Sequence, residues 1–254
     1  MQSERMSGWP DGYGRRVLDT VDSTLSEAAR IAPDLSGPEW ILAHTQTAAR
    51  GRRGRAWVMP AGNFAATLVL PVSGAPADAC LRSFVASLAL RDAFVAATGQ
   101  ETAFALKWPN DVLLRGGKVA GILLESAGLS GGMTHLAIGI GVNLVAAPSA
   151  EQVESGAVRP VSLCGTLGIT VLPEVFLDLL ANAFARYEDQ FQTYGFAPIR
   201  TAWMAHAARL GEVITARTAR DEWVGTFREV DEVGQLVLET PQGRVAIPAA
   251  DVYF

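Results

Sequence analysis

Residues Lys107–Ser126 run KWPNDVLLRGGKVAGILLES. Its two apolar runs, Val112 to Arg115 and Lys118 to Glu125, flank Gly116-Gly117, the composition of a two-residue hairpin turn, and are predicted as adjacent antiparallel strands. Phe104-Ala105-Leu106 leads as a further strand into the proline turn Trp108-Pro109-Asn110-Asp111. Lys107 and Asp111 lie on either side of that proline, and Lys118 heads the return strand. Two readings of Lys118 stand together: an exposed hairpin residue, or, since Val119 to Leu124 is apolar enough to be buried, an ammonium directed into a partly desolvated pocket that Lys107 shares.

Outward from this hairpin, Trp40 to Gln46, Phe64 to Leu70 (closed by Pro71) and His135 to Leu144 are predicted strands. Leu81, Phe84, Val85, Leu88 and Val95 recur at helical spacing between Ala77 and Thr98, with Gly99 as a stop, which predicts an amphipathic helix. A second helix follows Pro173 and ends before Gly195, and a shorter one covers Arg200 to Leu210. After Gly211 the chain turns to short strands: Val213 to Ala216, Glu222 to Arg228, Gln235 to Glu239, Arg244 to Ile247 and Val252 to Phe254. The expected fold class is α+β, a mixed sheet with helices followed by a small β module. The Pro/Ala/Glu-rich piece Ala146 to Pro160 is the candidate mobile loop.

Composition narrows the function. The 254 residues are 49% hydrophobic and 19% charged, an ordinary globular balance with enough apolar material for a large core. A formal charge of −5 disfavours a general nucleic-acid binder, so basic chemistry has to come from a local cluster. Met1 to Arg16 has no apolar run for a signal peptide, and the apolar window Cys80 to Gly99 is interrupted by Arg82, Arg91 and Asp92, so neither export nor membrane insertion is expected. Cys80 and Cys164 lack metal or disulfide spacing and are read as buried thiols in a reducing compartment, which places the protein in the cytoplasm.

The local basic cluster is Arg50-Gly51-Arg52-Arg53-Gly54-Arg55, on the loop between the Trp40 and Phe64 strands. Four arginines in six positions repel one another, so an anion or solvent must relieve them. Gly51 and Gly54 allow close backbone approach, and guanidinium forks bind phosphate oxygens in pairs. A phosphate site and a solvated basic loop are both consistent with the run taken alone. Gly139-Ile140-Gly141-Val142-Asn143 holds a G-x-G but has Leu144 where the third glycine of a dinucleotide fingerprint would fall. Neither a P-loop, H-E-x-x-H nor G-x-S-x-G occurs, and His44, His135 and His206 are scattered and read as structural.

Taken in order, Asp22-Ser23-Thr24, Gln46, the Arg50 to Arg55 run, Lys107 to Asp111, Lys118 to Leu123 and Gly139 to Asn143 resemble the catalytic domain of the biotin protein ligases, from about Val17 to the end of the chain. The resemblance implies a biotin/lipoate-ligase-type, class II synthetase-like catalytic domain over 17–210, preceded by an extension over 1–16 and followed by an SH3-like β-barrel over 211–254. It implies the monofunctional type, since about sixteen residues before Val17 are too few for a DNA-binding domain. The implied activity is two-step: biotin and ATP give biotinyl-5′-AMP and pyrophosphate, and a lysine of a biotin carboxyl carrier protein, the usual one being that of acetyl-CoA carboxylase, then takes the acyl group. Lys118 and Arg52 match the catalytic positions. Ser23, Thr24, Gln46, Arg50, Gly51, Arg52, Lys118, Gly121, Ile122 and Gly139 match the biotin site, with Gly121 and Ile122 as its floor. Arg52, Arg55, Trp57, Lys107, Asn110, Asp111, Val142 and Asn143 match the ATP and adenylate site, and Mg²⁺ is expected with the nucleotide. A homodimer through a sheet edge is also implied, and the arginine loop is expected to be mobile when empty.

Three positions depart from the family pattern: Leu25 replaces a common Asn, Ala49 replaces a loop-opening Gly, and Ala157 to Pro160 holds no tryptophan to pack on adenine. Lipoate protein ligases share the adenylation logic and are the nearest enzymatic alternative. A nucleic-acid module using the arginines as phosphate contacts, and an inactive biotin-binding regulator, are the alternatives from other classes.

Overall fold

The computed structural model describes residues 8–72, 76–127, 135–149, 152–153, 156–218 and 220–254. Positions 1–7 of the expected extension, and 150, 151, 154 and 155 of the candidate mobile loop, lie outside them.

Seven strands make the main sheet: β1 (Gly14–Val21), β2 (Glu39–Gln46), β3 (Phe64–Pro71), β4 (Phe104–Lys107), β5 (Asp111–Leu114), β6 (Gly117–Ala127) and β7 (His135–Val142). Their order is β1-β2-β3-β7-β6-β5-β4, with β1 parallel to β2 and the other neighbours antiparallel. The β5–β6 turn is made by Arg115 and Gly116, both left-handed at φ 48° and 82°, because Gly117 already pairs with Leu114. The turn therefore lies one position earlier than the predicted Gly116-Gly117.

The helices are α1 (Thr24–Ile31), α2 (Pro76–Cys80), α3 (Arg82–Thr98), α4 (Leu163–Leu167), α5 (Pro173–Tyr194) and α6 (Phe196–Met204). The predicted amphipathic helix is corrected in kind. α3 buries Phe84 to Arg91 without a break, and Ala93 and Phe94 as well, because the sheet, α5 and α6 enclose it on several sides. The predicted helix Arg200 to Leu210 ends at Met204; beyond it Leu106 N–H donates to the His206 carbonyl and Ala208 N–H to the Leu106 carbonyl, both at 2.8 Å, so the chain pairs with β4 instead of winding on. β1 and α1 are additional to the predicted elements. Ser23 caps α1 by accepting from Leu25 N–H, which gives the Asp22-Ser23-Thr24 motif a structural role.

One face of the sheet carries the large core, where Trp40 packs edge-on to Phe184 and Phe64 to Phe176. The other face is covered in part by α1, whose Leu25 and Ala28 sit among Ile41, Val69, Ala127 and Ala137. The part α1 leaves uncovered becomes the site.

A five-stranded antiparallel sheet follows: β8 (Val213–Arg217), β9 (Glu222–Val230), β10 (Leu236–Thr240), β11 (Gly243–Ile247) and β12 (Asp251–Tyr253), in the order β11-β10-β9-β8-β12. It is the expected small C-terminal β domain, and its Ile214, Phe227 and Leu236 belong to the same core as the main sheet. Trp108 Nε1 also donates to the Gly234 carbonyl at 3.0 Å. The cysteines are not the buried thiols expected: Cys80 is exposed at the end of the one-and-a-half-turn α2, and Cys164 is half-buried in α4. Among the described residues no helix is long and apolar enough to cross a membrane.

Candidate active site

Strand registers place Lys107 opposite Asp111, Asp111 opposite Gly121 and Gly121 opposite Gly141, one row across four neighbouring strands on the face that α1 leaves open. Period-2 alternation adds Gly139 and Leu123 to the same face. Three glycines in a patch otherwise packed with side chains create a hollow. A Cβ on Gly141 would stand 2.5 Å from the Trp57 ring, and one on Gly139 would stand 2.9 Å from Leu25, so both neighbours lie directly on the backbone.

Regular alternation from Gly121 would send Lys118 to the opposite face. The β5–β6 register slips between Val112 and Leu113, so that Ala120 opposes Val112 but Lys118 opposes Leu113. This bulge leaves Val119 as an extra residue and turns Lys118 onto the Asp111 face. The backbone there is held in place, with Lys118 N–H donating to the Arg159 carbonyl at 2.8 Å and Val161 N–H to the Lys118 carbonyl at 2.9 Å.

The resulting charge cluster is compact. Lys118 Nζ is 2.7 Å from Asp111 Oδ1, and Lys107 Nζ is 3.7 Å from Oδ2. Burial by itself would push the Asp111 carboxyl up, but Lys118, then Lys107 and Arg52, outweigh it and hold it below the usual carboxylate range. Burial lowers the Lys107 pKa from the ordinary lysine value, with Asp111 opposing and Lys118 and Arg52 adding to the shift. Burial is also the main cause that lowers the Arg52 pKa.

The arginine run folds as a small hairpin. Gly51 N–H donates to the Arg55 carbonyl at 2.7 Å, Trp57 N–H donates to the Ala49 carbonyl at 3.0 Å, and a 3-10 turn, Arg52–Gly54, forms its tip. Arg50 forks onto Glu125 at 3.1 and 2.8 Å and reaches Ser26 Oγ at 2.9 Å, which fastens the hairpin base to β6 and α1. Arg52, Arg53 and Arg55 turn instead toward Asp251 of β12. A polar corner closes the far end, where Thr24 N–H donates to Gln46 Oε1 at 2.7 Å and Thr67 Oγ1 donates to Thr24 Oγ1 at 2.8 Å.

These elements enclose a cavity of about 260 Å³, at the small end for ligand sites, with Trp57 in its lining. Of the expected residues, Ser23, Thr24, Gln46, Arg50, Gly51, Arg52, Arg55, Trp57, Lys107, Asn110, Asp111, Lys118, Gly121, Ile122, Gly139 and Asn143 all line it. Val142 does not: it alternates with Gly141 and is wholly buried in the core, which corrects its placement in the nucleotide site. Ile122 offers its backbone, since its side chain belongs to the core while its carbonyl accepts from Asn110 Nδ2. Trp57, expected beside the nucleotide, lies on the glycine floor with Lys118 Nζ 5.8 Å from its ring centroid. Asn143 Oδ1 is buried without a hydrogen-bond partner among the described residues and lines the cavity, which leaves an acceptor for a ligand donor.

Sequence reasoning missed Gly141 and Asp251 as individual site residues. Gly141 was visible inside the G-x-G and needed only strand parity. Asp251 sits in a separate β module about 200 positions from the arginines, with no local signal to join them.

Residues 14–143, which carry the arginine hairpin and the Lys107–Asp111–Lys118 cluster, match the model of the biotin/lipoate A/B protein ligase family. A Paracoccus denitrificans protein named biotin--[acetyl-CoA-carboxylase] ligase is 59% identical over 94% of this chain and 99% of its own length. The bifunctional ligase/repressor BirA of Bacillus subtilis (strain 168) is 30% identical over 92% of this chain and 72% of its own. The solved biotin protein ligase from Aquifex aeolicus in complex with biotin and ATP shares the fold at a TM-score of 0.80 and 23% identity, over 94% of this chain and 97% of that one. The glycine floor, the bulge-turned lysine and the arginine hairpin thus lie in a segment that one family's model spans and a relative matches nearly end to end: this chain belongs to the biotin/lipoate A/B protein ligase family.

Proposed function

We infer that the chain is an ATP-dependent biotin protein ligase, which activates biotin as biotinyl-5′-AMP and passes the acyl group to a lysine of a biotin carboxyl carrier protein, that of acetyl-CoA carboxylase. The observation that carries this reading is the convergence of Lys107, Lys118 and the arginine hairpin on one cavity with a glycine floor. A carboxylate that attacks a triphosphate meets strong repulsion, and one cation at 4 Å offsets about 4 kcal/mol of it at an effective dielectric near 20. Burial of Lys107 and Arg52 strengthens that field, while the ionised Asp111 holds Lys118 aimed at the floor row.

The roles we propose follow the geometry. The biotin ring lies in the cavity beside Trp57 and Leu25, which cover the glycine floor, with Ser23, Thr24 and Gln46 at its polar end. Lys118 stabilises the charge that develops as the carboxylate attacks the α-phosphate and again as the carrier amine displaces AMP. Arg52, Arg55 and Lys107 neutralise the phosphates, and Asn110 and Asn143 hydrogen-bond the nucleotide. Arg50, committed to Glu125 and Ser26, fixes the loop. Mg²⁺ would supply charge that offsets the phosphates; Asn110, Asp111 and Asn143, all lining the cavity, are the residues that would serve the nucleotide and its ion. We further propose 17–210 as the catalytic unit and 211–254 as the C-terminal module, a cytoplasmic location, and a homodimer through β1, which ends the main sheet's strand order.

The test is pyrophosphate release from ATP and Mg²⁺ with biotin, lipoate, octanoate or no acid. Release with biotin alone is expected. Release with lipoate or octanoate but not biotin would keep the fold and overturn the substrate.

A further inference from the structure

Three arginines of the hairpin converge on one carboxylate of the C-terminal module. Arg53 Nη1 is 2.6 Å and Arg55 Nη2 3.2 Å from Asp251 Oδ2, and Arg52 Nη1 is 3.3 Å from Oδ1. Arg52 Nη2 also donates to the Ala250 carbonyl at 3.4 Å. The Asp251 side chain is only 15% exposed, enclosed by the guanidiniums it binds. Arg53 takes left-handed backbone at φ 57°, a conformation that costs a non-glycine residue energy and that its Asp251 contact helps to hold. β12, which carries Asp251, is the end strand of its sheet, paired on one side by β8.

Such a fan of guanidiniums on two oxygens is the arrangement in which arginines receive phosphate oxygens. We propose that Asp251 is a positioning residue that occupies the place of a polyphosphate: it tethers the tip of the arginine hairpin to the C-terminal module, and an incoming triphosphate takes the arginines from it. The proposal deepens the ATP reading above and rests on it. Arg52 and Arg55 line the cavity beside Asp251, so a multiply charged anion entering it outcompetes Asp251 for their guanidiniums whereas a single carboxylate such as that of biotin does not. Asp251 therefore sets nucleotide affinity and loop order, and leaves the affinity for the acid unchanged.

The experiment compares wild type, Asp251→Asn and Asp251→Glu by equilibrium binding of ATP and of inorganic pyrophosphate, by biotin binding, and by the rate of tryptic cleavage after Arg52, Arg53 and Arg55 without ligand. Loss of the competing charge in Asp251→Asn is expected to tighten ATP and pyrophosphate binding about three- to tenfold and to speed cleavage about fivefold, with biotin binding within about twofold. Asp251→Glu, which keeps the charge, is expected to restore most of both effects. Unchanged or weaker ATP and pyrophosphate binding in a folded Asp251→Asn would overturn the exchange, and unchanged cleavage would overturn the tether. Binding of neither probe by wild type would overturn the nucleotide reading and the exchange with it, while the cleavage rates still judge the tether. If Asp251→Asn does not fold, Arg53→Gln removes the 2.6 Å contact and leaves Asp251 in place; faster cleavage after Arg55 supports the tether and an unchanged rate counts against it.

Discussion

Lys118 Nζ stands 2.7 Å from Asp111 Oδ1 because one extra residue in β6, Val119, turns the lysine onto the face that Asp111 occupies. The pair joins the two arms of a hairpin at the cavity wall, with Asp111 buried and Lys118 partly exposed toward the cavity. Asp111 thereby serves two lysines with one carboxylate, and the chemistry and the local stability depend on the same group.

Lys118→Ala should abolish catalysis and spare the fold. The lysine side chain is 29% exposed and its backbone bonds survive the change. Biotin-dependent pyrophosphate release should fall about 10²- to 10³-fold, the scale of losing one pre-organised charge donor. Near-normal release with an unchanged thermal transition would remove Lys118 from the mechanism.

Asp111→Asn should move the alkaline limb of the pH–rate profile to lower pH. Asp111 raises the Lys107 pKa against the burial that lowers it, so deleting the charge lets Lys107 lose its proton at lower pH. An unmoved or alkaline-shifted limb contradicts this. The same variant strands two lysines, one of them buried, and should lose about 3 kcal/mol of unfolding free energy in urea titrations. Because the folded carboxyl is held below its ordinary value, wild type keeps Asp111's contribution above the unfolded pKa and loses it as pH falls through the folded one. The stability gap between the two proteins should therefore narrow on acidification.

Gly141→Val should displace Trp57. Even the first carbon of a side chain would lie 2.5 Å from the indole, and the ring cannot compress. The KM for biotin should rise about tenfold or more with a smaller change in the KM for ATP, the cost typical of misfilling an apolar pocket by one or two carbons. A Trp57-specific fluorescence change, taken against a Trp57→Phe background, should accompany it. Unchanged kinetics would place the acid elsewhere.

Glu125→Gln should loosen the base of the arginine hairpin. The Arg50 fork is well formed, but both side chains are about one-third exposed, so water screens the pair and the loss should be about 1 kcal/mol or less. Faster tryptic cleavage within 50–55, with little change in the thermal transition, is the expected pattern. Cleavage at the wild-type rate would show that the base holds without the pair.

By itself the sequence determined the hairpin, the strands at Trp40 and Phe64, the separate β module and the family, because periodicity, turn glycines and contiguous motifs are local properties that neighbours in the chain carry. It also named most of the cavity wall, since Lys107, Asp111 and Gly121 follow from ordinary strand pairing once the hairpin is recognised. Tertiary structure alone decided the rest. Which face Val142 and Ile122 take depends on the register of β6 and β7, and Lys118 reaches the cavity through a bulge that no residue pattern announces. Burial of α3 on many sides required knowing that α5 and α6 fold over it. The union of Asp251 with Arg52, Arg53 and Arg55 needed two sheets packed together, because attraction between groups some 200 positions apart acts only after the fold has brought them within a few ångströms.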